Sequence, residues 1–207
     1  MNLKCFILFE LDFDAMKKIS KPLAFFGLLF LLFSLTSGMP AAKDTIIYIV
    51  RHAEKETNDA KNNDPDLSTE GRERAEALNN VLAKDKLSAV YSTKYKRTTQ
   101  TAAPVAQRNG VPVKTYEANN PAAIAQMIKE QFPNKKVLIV GHSNTILELV
   151  KAFGVTPPVD KLNDDDYDLL FKIIIDKKGS TTLSVQRFGK LHHSTELSLI
   201  KSPNHTH

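Results

Sequence analysis

The sequence predicts an α/β fold: a three-layer sandwich with a mostly parallel central sheet between helices. Two observations carry this. Short apolar, β-branched runs alternate with longer amphipathic stretches along most of the chain, and the last two apolar runs lie side by side around a lysine-glycine pair. Alternating strands and helices make a parallel sheet covered on both faces, and a tight turn between the final strands makes an antiparallel hairpin.

The elements follow in order. Thr45 to Val50 (TIIYIV) is continuous and apolar, as a strand buried on both faces requires. Glu54 to Asp66 is polar and rich in Asn and Asp, hence a loop. Ser68 is placed to cap a helix whose apolar stripe is Ala75, Leu78, Val81 and Leu82. A strand follows from Leu87 to Tyr91, then a helix from Thr98 to Arg108 closed by Asn109-Gly110. Val111 to Tyr116 is a weak strand, and Pro121 to Phe132 a helix with Asn120 as cap and Pro121 in its first turn. Lys136 to Val140 (KVLIV) is another buried strand, and Asn144 to Phe153 the fourth helix. Leu169 to Ile175 and Thr181 to Phe188 form the hairpin around Lys178-Gly179, and the polar tail from Leu191 is expected to be loose.

Three segments emerge. Residues 1–42 are an extension and a secretory signal peptide: a basic stretch at Lys17, Lys18 and Lys21, an apolar run from Leu23 to Leu35, then small residues. Glu10, Asp12 and Asp14 ahead of that basic stretch make Met16 the expected start. A periplasmic or secreted location follows, with contact to a membrane only if the segment stays uncleaved. Residues 43–190 are the folded domain, and 191–207 the tail. Of 207 residues 42% are hydrophobic and 25% charged, which suits one folded domain. The net charge of +5 is spread along the chain among acids, which speaks against a nucleic-acid partner. Cys5 is the sole cysteine, so disulfides and thiolate metal sites are excluded from the domain.

Ligands of parallel α/β sheets bind beyond the carboxyl ends of the strands. The first strand ends in Arg51 and His52, Arg97 follows the second, and KVLIV ends in Gly141 and His142. Two arginines and two histidines are thus directed to one sheet edge. Guanidiniums grip phosphate oxygens in bidentate fashion. A neutral imidazole can act as a nucleophile, and cations nearby disfavour its protonation. The helix expected from Ser143 or Asn144 would add its amide dipoles to this cage.

Four motifs stand in order along the chain. Arg51, His52, Ala53, Glu54 and Asn58 are followed by Leu67, Ser68, Gly71, Arg74 and Ala75. Ser92, Thr93, Arg97, Gln100, Thr101 and Ala102 come next, then Gly141 and His142. Together they resemble the histidine phosphatase (phosphoglycerate mutase-like) superfamily, in its short bacterial branch. Ala53 stands where the family has glycine. The resemblance implies hydrolysis of a phosphorylated small molecule through phosphohistidine on His52, without metal or cofactor. Arg51, Arg97, His142 and Asn58 would hold the phosphate. A larger family member places a catalytic glutamate between the second arginine and the second histidine. Here Glu117 is the better-placed candidate and Glu54 the alternative. Lys94 and Lys96 are read as a solvated face, and His192, His193, His205 and His207 as tail residues without a metal. Other readings are a mutase, a protein-histidine phosphatase, or a non-catalytic module that binds phosphate or a phospho-sugar. The 44 residues between Arg97 and His142 leave little room for the lid a mutase needs.

Overall fold

The computed structural model describes residues 43–194, which belong to one compact unit. The expected signal segment with Met16, Cys5, and the tail from 195 with His205 and His207 lie outside the described residues.

Six strands form one sheet: β1 (Thr45–Arg51), β2 (Ala89–Ser92), β3 (Val113–Thr115), β4 (Lys136–Gly141), β5 (Leu169–Ile175) and β6 (Thr181–Arg187). Their order is β3-β2-β4-β1-β5-β6. The first four run parallel, while β5 pairs antiparallel with both β1 and β6. The hairpin turns where expected, with Gly179 at φ 83°. Among the described residues four helices cover the sheet: α1 (Thr69–Val81), α2 (Lys96–Asn109), α3 (Pro121–Gln131) and α4 (Ile146–Ala152).

Strand alternation sorts the core into two layers. Ile47 and Ile49 of β1 point to one face, where they cluster with Ile124 and Ile128 of α3 and Leu149 and Val150 of α4. Tyr48 and Val50 point to the other, with Leu78 of α1 and Ala102 and Val105 of α2. Because β1 and β4 are covered on both sides, every residue in their middle is apolar. Each buried Ile or Leu contributes about 1.5–3 kcal/mol relative to exposure.

Local chemistry sets the boundaries. Ser68 Oγ accepts from the Gly71 amide and Asn120 Oδ1 from the Ala123 amide, so both expected caps form. Gly110 ends α2 in the left-handed region at φ 64°, where glycine carries no Cβ penalty. Three readings need correction. Val81, placed on the buried stripe of α1, is exposed, and Leu82 supplies the burial instead. α2 begins at Lys96, two residues early. α4 begins at Ile146 rather than Ser143 or Asn144; residues 143–145 form a turn in which the amides of Thr145 and Ile146 both donate to the His142 carbonyl. Those amides are therefore not free to face an anion.

Gly71 marks the tightest approach between α1 and the loop after β1. A Cβ there would lie 2.0 Å from the Glu54 carbonyl oxygen. Both sides of that contact are backbone, so neither yields easily. Gly71→Ala is expected to lower the free energy of unfolding by about 1–3 kcal/mol, read by urea denaturation. Glu73→Ala on the exposed side of the same helix should change it by less than about 0.5 kcal/mol.

Candidate active site

The central parallel pair brings the two histidines together. Arg51 lies opposite Gly141 in the β1–β4 register, and the His52 amide donates to the Gly141 carbonyl at 2.9 Å. The rings of His52 and His142 stand 5.3 Å apart between centroids, at 65°. β2 pairs with β4 on the other side, Ser92 opposite Val140, so Thr93 sits beside His142.

His52 is only 4% exposed. Its Nδ1 lies 2.8 Å from the carbonyl of Ala53. A carbonyl can only accept, so Nδ1 carries the proton and Nε2 keeps its lone pair. Ala53 itself is fully buried against Leu67 and Ala75, and its amide donates to Thr101 Oγ1 at 2.9 Å. The small residue in the glycine's place thus leaves the turn intact. Burial pushes the His52 pKa down to about 3, with Arg51, His142 and Arg97 adding to the shift against the bond to Ala53. For His142, burial and then Arg97 and Arg51 lower it to about 4. Both imidazoles are neutral at neutral pH.

Both guanidiniums rest on tyrosines. Arg51 Cζ lies 4.0 Å from the Tyr167 ring centroid, and Arg97 Cζ 4.4 Å from that of Tyr95. Nη1 of Arg51 donates to the carbonyls of Asn163 and Asp164 at 3.0 Å. Its Nε is buried without a hydrogen-bond partner. An orphaned charged donor is costly unless an anion completes it. Arg97 Nη2 lies 3.5 Å from His142 Nδ1. Together with Lys55, Thr57 and Asn144 these groups line a cleft of about 680 Å³, large enough for a small-molecule ligand.

Arg51, His52, Arg97 and His142 are brought together as expected. Asn58 and Glu117 are not. Asn58 is exposed, and its neighbour Thr57 lines the cleft instead. Glu117 is also exposed; Ala118 and Asn119 reach the cleft in its place. Glu54 turns away into a buried ion pair, accepting from Arg74 Nε at 2.9 Å and Nη2 at 2.7 Å. His192 Nδ1 lies 2.7 Å from the same carboxylate. Burial would raise the pKa of Glu54, but the bonds from Arg74 and His192 outweigh it and hold the carboxyl below its ordinary value. That carboxylate stays ionised and committed. Lys94 is exposed, as read, while Lys96 pairs with Asp66 at 3.5 Å.

The expectation of a loose tail fails at His192, His193 and Ser194, while Leu191 is exposed. His192 also packs its ring 5.1 Å from Tyr167, and His193 Nδ1 lies 2.6 Å from Asp168. Buried carboxylates need partners, and these two find them in the tail. Sequence reasoning also missed Tyr95, Tyr167 and Asp164. Tyr95 stood two residues from Arg97 and could have been noticed. Tyr167 and Asp164 lie on the loop before β5, far along the chain from every motif. Asp164 is the sole carboxylic residue lining the cleft among the described residues.

The histidines make a sharp prediction about stability. Folded, both hold a proton less readily than the unfolded value of 6.5. Between about pH 4 and pH 6.5 the unfolded chain therefore binds more protons, and stability rises with pH across that window. The melting temperature should fall as pH is lowered from 7 to 4.5. The fall should be shallower in a His52→Asn/His142→Asn double variant, measured by thermal denaturation.

Comparison with known proteins bears on the family and the fold. The family model described as "Histidine phosphatase superfamily (branch 1)" matches residues 47–118. No curated protein matches the chain in sequence. Among solved structures, the protein histidine phosphatase SixA complexed with tungstate is 19% identical at a TM-score of 0.55, covering 69% of this chain and 96% of its own. A mycobacterial glucosyl-3-phosphoglycerate phosphatase is 14% identical at 0.55, covering 70% and 98%. A putative alpha-ribazole-5'-P phosphatase from Escherichia coli is 14% identical at 0.55, covering 73% and 99%. At such identities these structures speak for the fold. The resemblance read from the motifs therefore holds: the chain matches the histidine phosphatase superfamily model through residue 118 and has the phosphoglycerate mutase-like fold of its solved members.

Proposed function

We propose that this chain is an exported phosphatase that hydrolyses phosphate monoesters through a phosphohistidine on His52. The observation that carries this reading is the His52 ring. Its Nδ1 is held by the Ala53 carbonyl, which leaves Nε2 as the nucleophile, unprotonated at neutral pH. Arg51 and Arg97, both lining the cleft, are placed to grip the phosphoryl oxygens. Phosphoryl transfer asks mainly for positioning and charge stabilisation, and these donors supply both. Nε2 forms a bond to phosphorus as the ester P–O bond breaks. Water then attacks the phosphohistidine and releases phosphate.

The substrate is a phosphorylated small molecule. Support comes from the size of the cleft and from relatives in fold whose structures hold phosphoserine or inorganic phosphate. Asp164 is the carboxyl nearest to hand for protonating the leaving oxygen, since Glu54 is committed to Arg74 and Glu117 does not line the cleft. Export rests on the layout of residues 17–42 alone.

The test uses p-nitrophenyl phosphate in EDTA, beside His52→Ala. Turnover is expected without added metal and should fall at least about a thousandfold in the variant, while a rapid quench should trap phosphate on a histidine of the wild type. Phosphate binding with no turnover would instead mark a non-catalytic module. Asp164→Asn should slow alkyl phosphates by about 10²-fold or more yet spare p-nitrophenyl phosphate, whose leaving group needs no proton. Glu117→Gln should slow neither. Amino-terminal analysis of native protein checks whether the segment of residues 1–42 is cleaved.

A further inference from the structure

We propose that Thr93 is a positioning residue that locks His142 as the Nε2–H tautomer, so that Nδ1 is the ring atom presented to the phosphate. The proposal rests on the reading of this cleft as a phosphate site. It follows from counting protons along a hydroxyl relay behind the ring.

The relay starts at Thr98, which is fully buried. Its Oγ1 lies 2.7 Å from the Tyr95 carbonyl and 3.1 Å from the Thr93 carbonyl. Ser92 Oγ already donates to the latter. Carbonyls only accept, so the single hydroxyl proton of Thr98 is directed to one of them. Thr98 Oγ1 then accepts from Thr93 Oγ1, 2.8 Å away. With its own proton committed there, Thr93 Oγ1 can only accept from His142 Nε2, at 2.9 Å. The opposite end of the ring gives the same answer independently. His142 Nδ1 faces the Arg97 guanidinium at 3.5 Å, and a guanidinium has donors and no acceptor. A proton on Nδ1 would set donor against donor.

The tautomer matters because His142 is neutral in the free site. A ring turned the other way would carry its bare lone pair toward Thr93 and would have to reorganise before an anion bound. In the locked form Nδ1 is the basic atom, with its lone pair toward Arg97 and the cleft. When a phosphate arrives as a monoanion, its P–OH proton can pass to Nδ1, which becomes a charged donor to the same phosphate, with no proton drawn from elsewhere. His52 and His142 thereby present opposite nitrogens to the cleft, Nε2 and Nδ1, each held by a bond on its far side.

The test is made on the full chain labelled with ¹⁵N-histidine, at slightly alkaline pH and without substrate. The His142 signals are assigned by their loss in His142→Gln. Long-range proton–nitrogen spectra should show His142 Nε2 protonated and Nδ1 bare. Thr93→Val keeps the shape of the side chain and removes its acceptor. It should mix the tautomers and weaken inorganic phosphate binding about tenfold, the scale of one lost hydrogen bond. Thr93→Ser should restore both. A wild-type spectrum with Nδ1 protonated overturns the proposal, and so does an unchanged tautomer in a folded Thr93→Val protein. Should Thr93→Val fail to fold, the wild-type spectrum decides. Because the tautomer is read in the resting protein, a chain without turnover still reports on Thr93, and a working phosphatase with the wrong tautomer sinks this inference alone.

Discussion

The pairing of β1 with β4 in parallel register is the constraint on which the site depends. Arg51 opposite Gly141 means that both strands end at the same height. The residue after each strand is a histidine, and the two rings can then only meet. A shift of one residue would turn every side chain of β1 to the opposite face. That would also place Ile47 and Ile49 in the layer built for Tyr48 and Val50. The apolar burial that holds the sheet is thus the same force that fixes the spacing of the imidazoles.

Around those imidazoles the protein gathers positive charge and keeps it fixed. Each guanidinium lies on an aromatic face, and Arg51 is further tied to backbone carbonyls of the loop before β5. A stacked, bonded arginine has little freedom left to lose when an anion binds. The charge also acts on the histidines. Buried beside two cations, they stay neutral, which suits the nucleophile proposed at His52 and not the anion donor proposed at His142. The hydrogen bonds behind each ring answer this difference by choosing which nitrogen faces the cleft.

A second charged cluster supports the site from outside the cleft. Glu54 follows His52 by two residues, yet its carboxylate points to Arg74, and Arg74 also holds the carbonyls of Phe188 and Lys190. The loop after β1, helix α1 and the exit from β6 are joined through one buried guanidinium. His192 joins the cluster and packs on Tyr167, the residue that carries Arg51. Buried pairs of this kind stabilise little by themselves, but losing one partner is costly. Their role here is to define where the loops lie.

Much of this was legible in the residues. The apolar runs, the caps at Ser68 and Asn120 and the glycine at 110 are local signals, decided by backbone propensity and hydrogen bonding within a few residues. They determined the elements and therefore the layered α/β class. The strand-end positions of Arg51, His52 and His142 determined the candidate site, because parallel sheets direct such positions to one edge. What lay on loops was decided elsewhere. Glu54, Glu117 and Asn58 could not be told apart as acids and donors until the fold showed where each pointed. Tyr167, Asp164 and His192 reach the cleft or its wall only because β5 folds back antiparallel against β1, more than a hundred residues from His52 in the chain. No periodicity records a contact of that kind. The sequence by itself determined which residues could do chemistry. Only long-range packing decided which of them face the cleft, since a side chain's direction on a loop is set by partners that are distant in the chain.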